Sequence, residues 1–316
     1  MDLAPVVLFV FNRPEHSKRT LQSLALNKIA EQSVLYIYSD GPRENESFEG
    51  FAKICEVRKV IREKKWCGQV HLIESDINKG LAASIISGVG ELLKRFENVI
   101  VLEDDLIVSE NFLAFMNLAL TLYKQNKEVM HISGHSFPIF NKCNGIYFLR
   151  YVSPWGWATW ADRWVYFEDN AENLYKKLLS KKTNWTDFNS GYGNEFRIQL
   201  LSNISKVQNT WAVKWHASVY VNNGLVLFPK FSLVRNTGFD GMGTHNNSIS
   251  EILLNQPIAI SNDFKYIKPF FNRYAFFRFH FFYLKNVKYP SLIKKFTKYL
   301  RWATLTNLSG SGKIRK

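Results

Sequence analysis

Asn98-Val-Ile-Val-Leu-Glu-Asp-Asp-Leu-Ile-Val108 is the stretch of sequence that decides the fold. Apolar, mostly β-branched residues run directly into three acids, and three more apolar residues follow them. This pattern predicts a buried strand that ends at Glu103, Asp104 and Asp105. Open α/β sheets bind ligands beyond the carboxyl ends of their strands, so we expect the three acids to lie at a ligand site.

The chemistry of these acids favours a bound cation. Adjacent carboxylates in apolar surroundings repel one another, and burial raises their pKa unless positive charge neutralises them. Mg²⁺ and Mn²⁺ select carboxylate oxygens and are often completed by waters and by the phosphates of a substrate. The alternative is a structural acidic turn that a Lys or Arg side chain neutralises.

The surrounding sequence alternates strand and helix patterns. Strands are predicted at 5–11, 34–38, 70–74, 129–132 and 225–228, and helices from Pro14, at 51–65, after Asn78-Lys79-Gly80, at 109–123 with Ser109 as N-cap, at 170–181 and at 195–202. Strand, helix, strand in succession predicts a doubly wound α/β sheet. The length of 316 residues fits two domains, or one α/β domain with an appendage.

Positive charge is concentrated at the C-terminal end of the chain. The formal net charge is +14, but Phe264 to Lys316 hold 13 Lys and Arg and no acid, which leaves 28 basic against 27 acidic residues before them. This segment mixes aromatic and basic residues without an uncharged apolar window of about 18 residues, so we expect it to lie on an anionic membrane and not to span it. A protein partner and single-stranded nucleic acid are the alternatives.

Composition limits the compartment and the class of protein. With 46% hydrophobic residues the chain has enough apolar side chains for a large core, which excludes global disorder. Cys55, Cys67 and Cys143 form neither a disulfide framework nor a zinc motif, and the N-terminal residues lack a basic leader, so a reducing, cytoplasmic compartment is expected.

Tryptophan is concentrated in one stretch. Four Trp residues fall within ten positions, at 155, 157, 160 and 164. Indole rings stack on the apolar faces of sugars and donate hydrogen bonds, so these side chains are candidates for the wall of a carbohydrate site. The alternative is an aromatic core layer.

Taken together, these residues resemble the GT-A glycosyltransferases. More narrowly, the chain is similar to the β-1,2-N-acetylglucosaminyltransferase I type and to the bacterial family-two-like enzymes that share its acidic motif. The likeness covers residues 3–250, and its most specific part is Val99 to Phe112, with the apolar strand, Glu-Asp-Asp-Leu and the start of a helix. Arg13, the Ser39-Asp40-Gly41 turn, Trp155-Gly-Trp157 and a Gly-rich loop that ends in His245 support it.

The resemblance implies a role for each matched residue. Asp105 is the expected ligand of Mn²⁺ or Mg²⁺, with Asp104 and Glu103 at the ribose and sugar of the donor. The loop from Asn236 to His245 is expected to close over the donor. The remaining expected donor contacts are Arg13, Asp40, Lys79 and Gly80, and the expected acceptor contacts are Trp155, Trp157, Trp215 and His245.

One position departs from the family pattern. The family's catalytic base is an Asp that follows a Trp, and the nearest match here is Trp211-Ala212, which has no group to accept a proton. Direct displacement with inversion needs a carboxylate or His at the acceptor hydroxyl. Asp240 and Glu195 are the preferred candidates, and Asp162 and His216 are the others.

The sequence therefore predicts a GT-A enzyme with a Rossmann-like, doubly wound mixed sheet at 1–260, divided into a donor and metal half (1–125) and an acceptor half (126–260). Residues 261–316 are expected to hold it on the inner face of a bacterial membrane. The expected reaction transfers a hexosyl or N-acetylhexosaminyl group from a nucleotide-diphosphate donor, first of all a UDP sugar, to a saccharide acceptor carried by a lipid. A sugar nucleotidyltransferase, a nucleic-acid-binding protein and an inactive glycan-binding relative are the alternatives.

Overall fold

The chain folds around one large sheet and a small two-stranded one. The computed structural model describes residues 3–140, 145–190, 195–238, 255–259 and 263–286, the last four by backbone alone. The large sheet contains β1 (Val6–Val10), β2 (Val34–Ser39), β3 (Gln69–Glu74), β4 (Asn98–Glu103), β6 (Val129–Ser133), β7 (Ile146–Leu149), β8 (Trp157–Trp160) and β9 (Leu225–Pro229). The small sheet pairs β5 (Leu106–Val108) with β10 (Val234–Asn236) in antiparallel fashion.

The large sheet is mixed, with the strand order β3-β2-β1-β4-β8-β6-β9-β7. Strands β3, β2, β1 and β4 are mutually parallel. Strand β8 is antiparallel to both β4 and β6, and β9 is parallel to β6 while β7 is antiparallel to β9. The carboxyl ends of β1, β2, β4, β6 and β9 therefore meet at one edge of the sheet.

Helices cover both faces of this sheet. They are α1 (Pro14–Ala25), α2 (Phe48–Val60), α3 (Leu81–Leu93), α4 (Phe112–Leu122), α5 (Ala161–Trp164), α6 (Ala171–Ser180), α7 (Trp185–Phe188), α8 (Glu195–Ile204), α9 (Trp211–Val221) and α10 (Arg273–Asn286), with a 3-10 turn at Ala30–Gln32. Successive residues of β1 alternate between two core clusters, one formed with α1, α2 and α4 and the other with α3, α9 and α10. Burial on both faces explains the unbroken apolar runs, and with the mixed strand order it confirms the predicted doubly wound α/β fold.

Two expectations about local structure need correction. Ser109 is not the N-cap of α4, because the helix begins at Phe112 and Ser109 Oγ instead accepts a hydrogen bond from the Asn111 N–H. Strand β8 lies inside the tryptophan-rich stretch, which therefore belongs to the sheet.

Residues 263–282, which we call the edge strap, pack against the edge strand β7 of the large sheet. On one face of the sheet the Phe264 ring packs 4.9 Å from Phe115 of α4. The backbone N–H of Asn272 then donates to the carbonyl of Phe148 in the edge strand β7. On the other face α10 buries Ala275 and Phe279. The strap thus passes around the end of the sheet and packs on both layers. The domain boundary at 260 stays a prediction. Residues 287–316 lie outside the described residues.

Candidate active site

Three parallel strands bring their carboxyl ends together at the predicted edge. Phe9 of β1 pairs with Glu103 of β4, and Val10 pairs with Ser39 of β2. Arg13 follows β1 and immediately precedes the Pro14 that begins α1. The sheet therefore places Arg13 beside the acids at the end of β4.

The acidic cluster consists of Glu103, Asp104 and Asp105. Glu103 ends β4, and the two Asp residues form the turn into β5. The side chains of Asp104 and Asp105 are only 13% and 17% exposed. The Arg13 guanidinium lies 3.1 Å from Asp105 Oδ2 and 3.7 Å from Asp104 Oδ1. One arginine thus stands against three carboxylates.

Burial and mutual repulsion raise the pKa of every acid in the cluster. Burial, together with the charges of Asp105 and Asp104, raises the pKa of Glu103 well above its usual range. Burial and the charge of Asp105 raise the pKa of Asp104 to about 7, although Arg13 opposes this. Burial also raises the pKa of Asp105, against the charges of Arg13 and His16. The cluster therefore has negative charge that its protein surroundings neutralise only in part.

The chain after β10 closes one side of the cluster. The N–H and the Oγ1 of Thr237 both donate to the carbonyl of Asp105, at 2.8 and 3.0 Å. The Gly238 carbonyl accepts from Arg13 at 3.3 Å, and a Cβ added to Gly238 would lie 2.1 Å from Asp105 Oδ2. A side chain at this position would therefore require the Asp105 carboxylate to move. Thr237 and Gly238 belong to the predicted donor loop; its later members Asp240 and His245 lie outside the described residues.

Asp105 has the feature expected of a metal ligand. Its Oδ1 atom is buried and has no hydrogen-bond partner among the described residues. A buried carboxylate oxygen without a partner is costly unless something positive contacts it, and Mg²⁺ and Mn²⁺ prefer such hard oxygen atoms. No three His, Cys, Asp or Glu side chains converge as a protein-only metal cage in the described part of the chain. Sites of this kind commonly take one or two carboxylates and complete the shell with substrate phosphates, so the residues present fit the metal.

Asp40 holds a turn at the edge of the site, and its predicted contact with the nucleotide stays a proposal. Its Oδ1 accepts from the backbone N–H groups of Gly41 and Lys79, at 2.9 and 2.8 Å, and its Oδ2 accepts from Gly80 at 2.9 Å. Both oxygens hold the turn before α3, in which Gly80 has a φ of +77° and the Lys79 side chain is exposed. Asp40 therefore positions this turn at the edge of the site, and direct contacts of Lys79 and Gly80 with a nucleotide stay a proposal.

The predicted aromatic wall is corrected by burial. Trp157 and Trp215 are completely buried. Trp157 stacks between His131 and Trp211, with ring centroids 5.2 and 5.0 Å away, and Trp215 Nε1 donates to His131 Nδ1 at 3.1 Å. Both rings belong to the core and cannot contact a sugar. Trp155 keeps part of its surface exposed and stays a candidate for the acceptor side.

The catalytic-base candidates also separate. Asp162 ion-pairs with Lys127 and Arg163 beside Trp160, which pairs with Asn98 at the opposite end of β4. Six residues of strand correspond to about 20 Å, so Asp162 is too far from the acids to act there. His216 is buried, with Nε2 donating to the Phe188 carbonyl and Nδ1 accepting from the Val152 N–H. Glu195 is half-buried at the start of α8, and its role stays a proposal.

His135 is a site residue that the sequence interpretation missed. It follows the carboxyl end of β6, at the same edge as the acids, and its ring lies 4.5 Å from Trp155. It is 2% exposed, its Nδ1 lies 3.3 Å from Ser153 Oγ, and its Nε2 has no hydrogen-bond partner among the described residues. Burial lowers its pKa to about 3, so the ring is neutral. The signal was its position directly after a predicted strand, in Ser133-Gly134-His135.

Comparisons with known proteins find only distant similarity. No protein-family model matches the chain, and no match is found among curated proteins. Solved structures that resemble it include TarS of S. aureus (13% identity, TM-score 0.27, 41% of this chain and 21% of that one) and mouse xyloside xylosyltransferase 1 (12%, 0.32, 69% and 80%). An active-site mutant of LgtC is a third (11%, 0.38, 92% and 99%). A cytidylyltransferase and a UDP-glucose pyrophosphorylase also match, at 11% and 13% identity. At these TM-scores the similarities do not separate one activity from another.

Proposed function

We propose that the protein is a metal-dependent, inverting glycosyltransferase that moves a sugar from a nucleotide diphosphate, most simply UDP, to a saccharide acceptor. The observation that carries the proposal is the buried Oδ1 of Asp105, which has no partner among the described residues and lies in a three-carboxylate cluster at the carboxyl ends of parallel strands. Among the described residues, Arg13 ion-pairs with Asp104 and Asp105, and the raised pKa values of the three acids indicate that the cluster is only partly neutralised.

In this proposal the acids hold the metal and the donor. Asp105 is the protein ligand of Mn²⁺ or Mg²⁺, with Asp104 and Glu103 beside it at the ribose and sugar. The metal supplies positive charge that stabilises the diphosphate as it leaves. Arg13 contributes a second positive charge at the same edge, and its hydrogen bond to Gly238 ties the donor loop to the cluster.

The reaction is a direct displacement. An acceptor hydroxyl oxygen forms a bond to the anomeric carbon while the bond from that carbon to the diphosphate oxygen breaks, and the diphosphate leaves with the electron pair. The hydroxyl proton passes to a base on the acceptor side. Glu195 and Asp240 are proposed for this step.

The test is donor hydrolysis by the purified protein over a panel of nucleotide sugars, with Mn²⁺ and with EDTA. We expect release of one nucleotide that needs metal and is lost in Asp105→Asn. The matched control is Glu172→Gln, which removes an exposed surface carboxylate on α6 and leaves hydrolysis unchanged. Calorimetric titration with Mn²⁺ alone gives a second readout, because Asp105→Asn then weakens metal binding without any donor.

Other outcomes distinguish the alternatives. Donor binding without hydrolysis or transfer identifies a glycan-binding relative. Formation of a nucleotide sugar from a nucleoside triphosphate and a sugar phosphate identifies a nucleotidyltransferase. If the protein shows no hydrolysis of any donor and no metal-dependent nucleotide binding, the proposal is refuted.

A further inference from the structure

The edge strap exposes six large apolar side chains. Sixteen large hydrophobic residues are exposed in the described part of the chain, and six of them fall within the sixteen residues from Tyr266 to Phe281. They are Tyr266, Ile267, Phe270, Tyr274, Phe277 and Phe281, with exposed fractions from 38% to 69%. Scattered exposed apolar residues are ordinary on protein surfaces, but a concentration of this kind marks an interaction surface.

Helix α10 has one buried face and one exposed face. Ala275 and Phe279 are completely buried against the body of the protein, and the Phe279 ring lies 4.5 Å from Phe137. At 100° per residue, Tyr274, Phe277 and Phe281 fall within about 60° of one another on the opposite side of the helix. One face therefore fixes the helix to the protein, and the other presents three aromatic rings to the surroundings.

The charge beside these rings is positive apart from Asp263, the first residue of the strap. Residues 264–286 contain five Lys and Arg and no acid, and residues 287–316 add eight more without an acid. Lys265, Lys268 and Arg273 are exposed next to the aromatic residues. In a symmetric dimer formed through this face, each copy would bring the same positive surface against the other, which is unfavourable.

We propose that the exposed face of the edge strap docks on the surface of an anionic lipid bilayer. Aromatic rings insert at headgroup depth, and the flanking Lys and Arg side chains bind lipid phosphates. The helix would lie along the membrane surface, because its other face is buried against the body of the protein. No helix among the described residues is long and apolar enough to cross a bilayer. Docking of this kind needs neither donor nor metal, so it stands or fails independently of the catalytic proposal.

The buried side of α10 is connected through packed rings to Trp155, the candidate acceptor contact. Ring contacts lead from Trp155 to His135 (4.5 Å), from His135 to Phe137 (4.8 Å) and from Phe137 to Phe279 (4.5 Å). If the protein is the transferase proposed above, an acceptor saccharide carried on a membrane lipid would reach Trp155 from the docked surface. This part rests on the proposed function.

The first experiment measures sedimentation of the full chain with vesicles. We expect binding to equimolar phosphatidylglycerol and phosphatidylcholine at low salt, and much weaker binding to phosphatidylcholine alone or at high salt. The triple variant Tyr274→Ser, Phe277→Ser, Phe281→Ser weakens binding by about 100-fold, as three partly inserted rings predict. The triple variant Lys265→Gln, Lys268→Gln, Arg273→Gln weakens it to a similar degree, on the order of 100-fold at low salt.

A matched control removes three exposed apolar residues elsewhere. Phe48→Ser, Tyr166→Ser and Val207→Ser together are expected to leave vesicle binding unchanged, because these residues lie away from the strap and are 91%, 53% and 76% exposed. Melting temperatures of both serine triples stay close to that of the wild type, which shows that the fold is retained.

Three results overturn the docking proposal. One is a wild type that stays in the supernatant with anionic vesicles. The second is a strap variant that binds vesicles as well as the control does. The third is a wild type that does not bind vesicles but forms dimers or binds oligonucleotides, and an aromatic triple variant that has lost this interaction. That result would assign the face to a second copy of the chain or to nucleic acid.

The acceptor part has its own measurement. In vesicles that carry a lipid-linked saccharide, the aromatic triple variant is expected to lose transfer while donor hydrolysis in solution is unchanged. Loss of both transfer and donor hydrolysis would mean that the catalytic proposal needs revision. If the variant keeps both activities, the acceptor does not depend on membrane docking.

Discussion

The buried histidine of β6 gives a sharp prediction about stability and pH. His131 is completely buried, and both ring nitrogens are engaged. Nε2 lies 3.0 Å from the Ser153 carbonyl and must donate to it, while Nδ1 accepts from the Trp215 indole N–H at 3.1 Å. Protonation of Nδ1 would bring its N–H into repulsive contact with the N–H of the buried Trp215 indole. Burial lowers the pKa of His131 to about 3.

The sign and size of the effect follow from linkage. In the unfolded chain the imidazole has a pKa of about 6.5, so below that pH the unfolded state binds a proton that the folded state excludes. The stability contributed by His131 is therefore fully present above the unfolded pKa and is lost as the pH falls towards the folded pKa. Between about pH 7.5 and about pH 5.5 the expected loss is roughly 1.4 kcal/mol. The acids of the active site have raised folded pKa values and act in the opposite direction, so the wild type alone does not isolate the histidine.

The assay is urea unfolding of the wild type and of His131→Asn in EDTA at the two pH values. We expect the variant to be less stable than the wild type at about pH 7.5, and this difference to shrink by roughly 1.4 kcal/mol at about pH 5.5. His216→Asn is a second case with the same logic, because burial lowers the pKa of His216 to about 4. His71→Asn, at a partly exposed histidine of β3, is the matched control. A stability difference that is equal at both pH values would refute the reasoning.

Three further predictions concern the site and the thiols. Gly238→Ala is expected to weaken Mn²⁺-dependent nucleotide binding by about 100-fold in a calorimetric titration, because its Cβ would displace Asp105 Oδ2 by about 1 Å or more. Asp40→Ala is expected to lower the free energy of unfolding in urea by about 2 kcal/mol, since three backbone N–H groups lose their acceptor. Cys67 is expected to resist iodoacetamide until the protein unfolds, because burial raises the pKa of its thiol to about 12, whereas the half-buried Cys55 reacts in the native protein; mass spectrometry measures both.

Each of these predictions has a control and a contrary result. Gly90→Ala adds a Cβ that would lie 3.8 Å from Trp164 Nε1, an ordinary contact distance, so it is expected to leave nucleotide binding intact and to raise helix stability by about 0.5–1 kcal/mol. Unchanged binding in Gly238→Ala would mean that the chain after β10 does not press on Asp105 in solution. Unchanged stability in Asp40→Ala would favour the proposed nucleotide contact of Asp40 over its role in the turn. Native labelling of Cys67 would contradict its burial.

The sequence predicted those parts of the fold that local patterns determine. Val99 to Leu102 form a buried strand because both faces of the sheet are covered, and the three acids that follow lie at its carboxyl end. Helix α3 begins just after Gly80, as the Asn-Lys-Gly turn indicated. Strong local preferences and the final fold agree at these places.

Other features depend on contacts between distant residues. Strand β5 pairs with β10, and Val108 and Val234 are separated by more than a hundred residues, so neither strand is visible as a local pattern. Trp155 and Trp157 are two positions apart, yet one is half-exposed and the other is fully buried against Trp211. Composition predicted a tryptophan-rich region, but only the packing decides which rings face a substrate. Asp40 was placed correctly at the edge, while the backbone groups that occupy its oxygens follow from the turn before α3.

The edge strap covers the last strand of the large sheet. Strand β7 is the last strand of the large sheet, and its outer side would present unpaired backbone N–H and carbonyl groups. The Asn272 N–H bonds to Phe148 on that side, and the residues around it cover the strand on both layers. A chain shortened before residue 263 would leave this side of β7 open to pairing with another copy. Removal of residues 263–316 is therefore expected to cause aggregation of the remaining chain, and the strap that we propose to dock on a membrane would also protect the sheet against self-association.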